Sequence, residues 1–335
     1  MVARNDEYLD GTKAMLRRHG AEFLRHRFAG KPPLLEIQVT KRCNARCAWC
    51  EAWRAPGDGK ELADYAAIVR RVDPLTVAFV GGEPLVRPDL DRLIASVRLS
   101  TQAASIVLAT NGVDLTTERA RTLRQAGTDK LVLLLEGMEE AHDRARRSPG
   151  LFRRIVGMLP DLGAVGFRSV QIQATISPRI SDDLVPLARL AIDHGVRIAY
   201  TLEGPNRGGS RGSLPDPREL GRFEEAIERV IELGERNDAV VSSPGYLRGL
   251  VPFLGGDGAH LPGCMAGSAF ARVSPDGWIQ PCGFQPPLGH WTAFPFGTGP
   301  VNCVACWTRS RGENSGRIGA GHLVEMYRAQ THDAV

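Results

Sequence analysis

Apolar runs of strand length recur over the first two thirds of the chain and alternate with segments of helical period. In the helical segments apolar residues such as Leu90, Leu93 and Val97 would share one face. Alternating strands and helices predict parallel βα units, arranged either as a partial (β/α) barrel or as a doubly wound sheet. In both architectures the chemistry belongs at the carboxyl ends of the strands. The six runs expected to form strands are Leu34–Val39, Leu75–Val80, Ser105–Ala109, Lys130–Leu135, Ser169–Ile176 and Val196–Leu202.

The regions before and after this alternation have different sequence patterns. Apolar residues before the first run are spaced for one face of a basic helix, and Asp216, with Glu219 three residues later, marks a further helix start. From Pro244 onward the chain is rich in Gly and Pro and has little period, and such a unit usually needs a metal to hold it. The predicted organisation is a helical lead-in at 1–32, a barrel at 33–236 and a small C-terminal domain at 237–335.

Composition narrows the class of protein. The 335 residues are 43% hydrophobic and 24% charged, which excludes a collagen-like or mainly disordered chain. The net charge of +4 is small for this length and does not indicate nucleic-acid binding. The chain has no apolar stretch of membrane-spanning length, and its first residues lack the apolar core of a signal peptide. We therefore expect a cytoplasmic protein with neither a nucleic acid nor a membrane as partner.

The seven cysteines fall into an early group of three and a late group of four. An odd number fits a disulfide framework poorly, and clustered cysteines in a reducing compartment favour metal ligation or catalysis. Cys43, Cys47 and Cys50 form C-x3-C-x2-C directly after the first predicted strand. Three thiolates on one loop can hold three irons of a [4Fe–4S] cubane and leave the fourth iron open. The alternatives are a zinc knuckle, which usually wants four ligands, and three unrelated buried cysteines.

The late group, C-x17-C-x20-C-x2-C, consists of Cys264, Cys282, Cys303 and Cys306. Its spacing alone does not decide between a structural zinc site and an iron–sulfur cluster, since sets of four cysteines serve both. Asp276-Gly277 is a good hairpin turn that feeds a short strand ending at Cys282.

The early motif resembles the signature of the radical S-adenosylmethionine (SAM) superfamily, C-x3-C-x-aromatic-C, with Trp49 at the aromatic position. The resemblance implies that the open iron binds the amino and carboxyl groups of SAM. It also implies that reduction cleaves SAM to a 5′-deoxyadenosyl radical, which abstracts a hydrogen atom from a substrate. A reducing partner such as flavodoxin or ferredoxin is then expected. A radical this reactive needs a shielded site and a cofactor that generates it in place.

Further segments resemble the cofactor-binding motifs of that superfamily. Gly81-Gly82-Glu83-Pro84 looks like its GGEP motif, in which the glycines admit a ligand to the backbone and the carboxylate accepts from an ammonium. Asn111 lies in a T-N-G sequence, and Glu136 stands where the superfamily commonly has the aspartate of S-x-D-G. His142-Asp143 is expected to be a structural turn. The resemblance thus implies cofactor contacts from Trp49, Gly81, Gly82, Glu83, Pro84, Asn111, Glu136 and Gln173.

The late segment resembles the D-G-x-(I/V)-x-P-C hairpin of SPASM and twitch extensions. Four cysteines fit the shorter twitch form, with one fully ligated auxiliary [4Fe–4S] cluster that serves electron transfer or structure. The spacing is similar to that of 2-deoxy-scyllo-inosamine dehydrogenase-type enzymes. The resemblance therefore predicts an α/β fold, a partial (β/α)6 TIM-like barrel followed by a small twitch-like iron–sulfur domain.

The leading functional hypothesis is a radical SAM oxidoreductase that oxidises an alcohol of an amino sugar or aminocyclitol in natural-product (antibiotic) biosynthesis. An epimerase, a peptide-modifying maturase or a C–C bond-forming enzyme would use the same clusters. Two clusters would occupy all seven cysteines, which leaves no thiol as a hydrogen donor and disfavours a cysteine-quenched epimerase. A hypothesis of another class is a non-catalytic zinc protein. The candidate catalytic residues near the substrate are Tyr200, Glu203 and Tyr246.

Overall fold

The computed structural model describes residues 31–48, 50, 52–54, 59–101, 105–202, 215–293, 300–301 and 303–314. Almost all of the predicted lead-in at 1–32 lies outside these residues, as do Trp49 and Glu203. All seven cysteines lie within them. Among the described residues, no helix has the length and apolar character needed to cross a bilayer.

The strands of the described chain form one sheet in the order β6-β5-β4-β3-β2-β1-β7-β8-β9. All six predicted strands are confirmed, each with boundaries within one residue of the prediction. The strands are β1 Leu34–Gln38, β2 Thr76–Val80, β3 Ser105–Thr110, β4 Lys130–Leu135, β5 Ser169–Ile176, β6 Arg197–Leu202, β7 Phe270–Val273, β8 Trp278–Gln280 and β9 Gly289–His290.

Helices connect the parallel strands in the way that βα units require. The first six helices lie in the crossovers between β1 and β6, and the remaining three follow β6. The helices are α1 Ala66–Val72, α2 Leu90–Ser100, α3 Thr117–Gln125, α4 Glu139–Arg146, α5 Leu151–Ala164, α6 Ser181–Asp193, α7 Pro217–Arg236, α8 Pro244–Leu254 and α9 Arg309–Asn314.

The strand order decides between the two architectures that the sequence left open. Strands β1 to β6 are parallel neighbours in unbroken sequence order. A doubly wound sheet reverses its strand order at a switch point, whereas here the order runs in one direction only. The fold is therefore a mixed α/β structure with a mostly parallel sheet, consistent with a partial TIM-like barrel.

Alternation along the strands separates the packed core from the inner surface. On β1, β2 and β3, residues such as Ile37, Phe79 and Leu108 are fully buried and belong to the hydrophobic core. Their neighbours Glu36 and Ala78 face the opposite side and line a cavity. The inner surface of the strands therefore lines a cavity, while the outer surface is filled by apolar packing.

The C-terminal segment continues the same sheet. Strand β7 pairs in parallel with β1, so that Leu34 lies opposite Phe270. Strands β8 and β9 then add antiparallel to β7, with the predicted turn at Asp276-Gly277 between β7 and β8. This pairing places the late cysteine segment beside the first strand of the barrel. The division at 236/237 stays a prediction.

Candidate active site

The three early cysteines follow the carboxyl end of β1, where the fold predicts chemistry. Cys47 is buried and the other two thiols are half-buried. Burial raises the pKa of Cys43, and the charges of Glu83, Cys47 and Cys50 raise it further, because the three thiols lie close to one another. Among the described residues, no three His, Cys, Asp or Glu side chains surround a single metal ion. A cubane places each thiolate on its own iron, so this open set of thiols fits it.

The GGEP turn after β2 holds the cysteine loop through backbone contacts. The N–H of Gly82 donates to the carbonyl of Thr40 at 2.9 Å, and the N–H of Glu83 donates to the carbonyl of Arg42 at 2.8 Å. A Cβ atom at Gly82 would overlap that Arg42 carbonyl. Gly82 is therefore needed for the close approach of the protein's own loop, a different reason from the ligand approach that the sequence suggested.

Glu83 joins the ends of β2 and β3. Its carboxylate accepts from the Thr110 hydroxyl at 2.6 Å, from the Asn111 N–H at 2.8 Å and from the Leu85 N–H at 3.1 Å. Burial raises the pKa of this carboxyl group, which is only 1% exposed. A carboxylate has about four acceptor positions, so about one remains beside these three bonds. The expected contact with an ammonium stays a prediction.

Asn111 supports the cysteine loop from the end of β3. Its amide nitrogen donates to Asn44 Oδ1 at 2.9 Å and lies 3.8 Å from the Sγ of Cys43. Its amide oxygen accepts from the N–H of Val113 at 2.8 Å. The buried side chain thus connects the third strand to the loop, and its expected cofactor contact stays a prediction.

Glu136, expected as a cofactor contact, is held in a buried ion pair. The Nη2 of Arg146 lies 2.6 Å from Glu136 Oε1, and its Nη1 donates to the Sγ of Cys47 at 3.4 Å. The carboxylate turns to this arginine because a buried charge needs a partner. Glu136 thus contacts the cysteine loop through Arg146, and its expected contact with the cofactor stays a prediction.

His142 and Asp143 lie within α4, not in the turn that the sequence predicted, and both make structural contacts. His142 Nδ1 accepts from the N–H of Glu136 at 3.1 Å, and burial lowers the pKa of the imidazole to about 3. Asp143 accepts from the N–H groups of Gly150 and Phe152 and so caps the start of α5.

A cavity of about 190 Å³ lies inside the barrel, is lined by both polar and apolar side chains, and is bordered by α9. Gln173 lines it, and its expected contact with the cofactor stays a prediction. Gln171, two residues earlier on the same strand face, is 1% exposed, and neither polar atom of its amide has a hydrogen-bond partner among the described residues. The remaining polar lining residues are Glu36, Thr76, Lys130, Thr201, Arg309, Ser310, Glu313 and Asn314. The cavity is therefore suited to a compact polar ligand.

Comparison with known proteins identifies this arrangement. A model of the radical SAM superfamily matches residues 37–191, which include the early cysteines, the GGEP turn and strands β2 to β5. Residues 37–191, just under half of the chain, match the radical SAM domain. The thiol loop and the inner cavity described above belong to that domain or border it.

Individual proteins and a solved structure are also similar to this chain. The chain is 28% identical over 282 residues to an AdoMet-dependent heme synthase of Methanosarcina barkeri, covering 77% of this chain and 78% of that protein. It is 31% identical over 181 residues to GTP 3′,8-cyclase 2 of Mycobacterium bovis, and it spans about half the length of that cyclase (50%). The structure of Streptococcus suis SuiB bound to S-adenosylmethionine aligns with a TM-score of 0.62 and 18% identity, covering 82% of this chain and 67% of that one, which shows a shared fold.

The four late cysteines also gather in space beside the radical SAM domain. Cys264 packs with Cys282 and Cys303 in a small apolar cluster, and burial together with the charges of Cys306 and Cys282 raises the pKa of Cys264 to about 11. Three of the thiols accept from the N–H two residues further along, namely those of Ala266, Phe284 and Ala305. Such N–H···S bonds suit ligating thiolates.

A buried arginine completes the late group. Arg311 on α9 is fully buried, and its guanidinium donates to the carbonyls of Pro262 and Cys306. Burial lowers the pKa of Arg311, while the charges of Cys306, Cys264 and Cys303 oppose that shift because they lie nearby. The donor set fits a tetrathiolate centre, and its auxiliary cluster stays a proposal.

Neither candidate tyrosine lies in the cavity of the radical SAM domain. The Tyr200 hydroxyl donates to the carbonyl of Leu184 at 2.7 Å, because Tyr200 points toward α6 while its neighbour Thr201 points into the cavity. The Tyr246 hydroxyl accepts from the N–H of Leu202 at 3.2 Å, and its ring stacks on Trp307. Burial raises the pKa of both phenols. We therefore correct the expectation that these side chains face the substrate.

Sequence reasoning missed Arg146, Arg311 and Gln171 as parts of the site. Both arginines lie among other basic residues in short helices, a pattern that usually marks a solvated face. Burial of a charge is set by tertiary packing, so no local signal separates Arg146 from the exposed Arg144 two residues before it. For Gln171 the signal was present, since it shares a strand face with Gln173.

Proposed function

We propose that this radical SAM enzyme cleaves S-adenosylmethionine reductively and oxidises an alcohol of a compact polar molecule, of the amino-sugar or aminocyclitol class. The observation that carries the proposal is the combination of three neighbouring thiols after the carboxyl end of β1 with a cavity whose lining comes from strands β1 to β6 of the same sheet. In this arrangement a ligand of the thiol-bound cluster and a substrate in the barrel would meet at the carboxyl ends of the strands.

The cofactor chemistry enters at the early cysteine loop. When bound, the cluster and SAM supply a 5′-deoxyadenosyl radical that removes a hydrogen atom from a substrate C–H bond. The protein's part is to hold Cys43, Cys47 and Cys50 in place through the Gly82 backbone contact and the Asn111 amide. Glu83 keeps the ends of β2 and β3 together beneath the loop.

The cavity supports a polar and small substrate. Gln171 and Gln173 bring two amides to one side of a space of about 190 Å³, and charged residues of both signs line it together with neutral polar and apolar residues. An unpartnered buried amide costs free energy unless a ligand completes its hydrogen bonds. A hydroxyl group offers both the donor and the acceptor that the Gln171 amide needs.

Oxidation of an alcohol to a ketone removes a hydrogen atom from the carbon, a proton from the hydroxyl group and one further electron. A cluster held by Cys264, Cys282, Cys303 and Cys306, when bound in its oxidised form, would supply the acceptor for that electron. Burial raises the pKa of Cys282, and the charge of Glu36, which lines the cavity, adds to that shift, so the late thiols lie within electrostatic range of the cavity. This proximity supports an electron path between substrate and auxiliary cluster.

Anaerobic reconstitution followed by metal analysis tests the two cysteine groups. We expect about eight irons per chain, four for each cubane, in the native protein. Cys264→Ala should lose the late cluster and keep the early one, while Cys50→Ala should do the reverse. Stoichiometric zinc without iron–sulfur absorbance would support the non-catalytic zinc protein instead.

Solvent isotope incorporation tests the reaction type. Turnover of the substrate in D₂O should give a product without deuterium at the former C–H carbon, because oxidation to a ketone returns no hydrogen to it. Deuterium at that carbon would favour an epimerase over the dehydrogenase if the product otherwise has the same mass as the substrate.

A further inference from the structure

Arg146 is a buried cation in direct contact with one of the three early thiols. It lies at the end of α4 and is 5% exposed. Its Nη1 donates to the Sγ of Cys47 at 3.4 Å, while its Nη2 contacts Glu136 at 2.6 Å. The nearby Arg144 on the same helix pairs with Glu140 on the surface instead. One helix thus sends one arginine to solvent and one to the cysteine loop.

The contact is fixed from both sides. The N–H of Ala48 donates to the carbonyl of Ala145 at 2.9 Å, which docks the cysteine loop on the end of α4 through backbone atoms. Glu136 holds the other arm of the guanidinium, and the N–H of Glu136 is itself bonded to His142. Because the docking bond uses backbone atoms, it persists when the side chain at position 146 changes.

The charge distribution around the thiols is uneven. Cys43 accepts from two neutral donors, the N–H of Ala45 at 3.5 Å and the amide of Asn111 at 3.8 Å. Cys47 receives a charged donor, and the Arg146 cation lowers the pKa of Cys47 against the larger opposing effect of burial. A buried cation interacts strongly with charge because the local dielectric constant is low.

We propose that Arg146 is a positioning residue that raises the reduction potential of the cluster held by the early cysteines, and that the negative charge of Glu136 offsets part of this effect. Reduction adds one negative charge to the cluster, and a charged N–H donor to a ligating sulfur stabilises that charge. Glu136 both orients the guanidinium and offsets part of its field. The inference rests on the proposed function, since it requires a redox-active cluster on Cys43, Cys47 and Cys50.

The test is a redox titration of the reconstituted protein, followed by electron paramagnetic resonance. The early cluster is assigned as the signal that changes when S-adenosylmethionine is added, because only this cluster has an open iron. Arg146→Met should lower its midpoint potential by about 59 mV or more, which corresponds to a tenfold change in the one-electron equilibrium. Glu136→Gln should raise the potential, since it removes a negative charge and keeps an acceptor. Arg146→Lys should recover part of the native value, and the surface variant Arg144→Met should leave it unchanged.

Shifts of the midpoint potential in opposite directions for Arg146→Met and Glu136→Gln would show an electrostatic effect on the cluster. Structural damage would instead lower the iron content of both variants. If Arg146→Met fails to retain iron, Glu136→Gln decides the question: a raised potential supports the inference and an unmoved one overturns it. If the native protein forms a SAM-sensitive cluster and every variant has the same midpoint potential as the native protein, this inference alone is overturned. A native protein that forms no such cluster overturns the proposed function as well.

Discussion

Replacement of Gly82 by alanine tests the packing that holds the cysteine loop. The added Cβ would overlap the Arg42 carbonyl and displace the two backbone bonds between the GGEP turn and residues 40–42. Each bond contributes about 1 kcal/mol and overpacking costs about 1 to 3 kcal/mol, so we expect a local destabilisation of about 3 to 5 kcal/mol. That cost falls on the loop that carries the three early thiols.

Gly81→Ala is the matched control for this substitution. Its Cβ would lie 3.0 Å from the Thr40 carbonyl, a tight contact that a small backbone shift relieves. The assay is the rate of iron loss to a chelator after anaerobic reconstitution, with circular dichroism as the check on folding. Gly82→Ala should lose iron from the early cluster far faster than Gly81→Ala at similar helical content. Equal rates for the two variants would refute the packing argument.

Three further outcomes follow from buried side chains of the site. Burial holds the pKa of His142 near 3, so the unfolded chain gains the proton first and stability falls as the pH drops below about 6.5. In urea titrations at a series of pH values, His142→Gln should reduce the slope of the unfolding free energy against pH by up to about 1.4 kcal/mol per pH unit. Equal slopes for the native protein and the variant would contradict this. Tyr200→Phe should cost about 1 kcal/mol of stability through its lost bond to Leu184 and leave turnover intact, whereas a large loss of turnover at unchanged stability would restore a catalytic role. Arg311→Met should release the iron of the late cluster and spare SAM cleavage, because the guanidinium joins the carbonyls of Pro262 and Cys306; full iron retention would contradict this.

The strands and turns were predictable because their signals are local. Continuous apolar runs bounded by turn residues marked β1 to β6, and Asp216 caps α7 by accepting from the N–H groups of Arg218 and Glu219. Asp276-Gly277 formed the expected turn, with Gly277 at a positive φ of 91°. The extension of the sheet from β1 to β7 was not predictable, because it joins segments more than 200 residues apart.

The cysteine groups were predictable from spacing, whereas the directions of single side chains were not. Tyr200 and Thr201 are adjacent on β6, and only the packing of α6 on one side and the cavity on the other decides which residue faces the site. Glu136 likewise matched a cofactor motif by position. Its actual partner, Arg146, comes from the following helix, and a buried ion pair of this kind depends on tertiary structure.

The measurement closest to the central claim is the release of 5′-deoxyadenosine from S-adenosylmethionine by the anaerobically reconstituted and reduced protein. The account predicts that the native protein forms it, that Cys43→Ala, Cys47→Ala and Cys50→Ala each abolish it, and that Cys264→Ala retains a substantial part. Release by the early cysteine variants at the native rate, or its absence from an iron-loaded native protein, would contradict the assignment of the early thiols to the SAM-cleaving cluster.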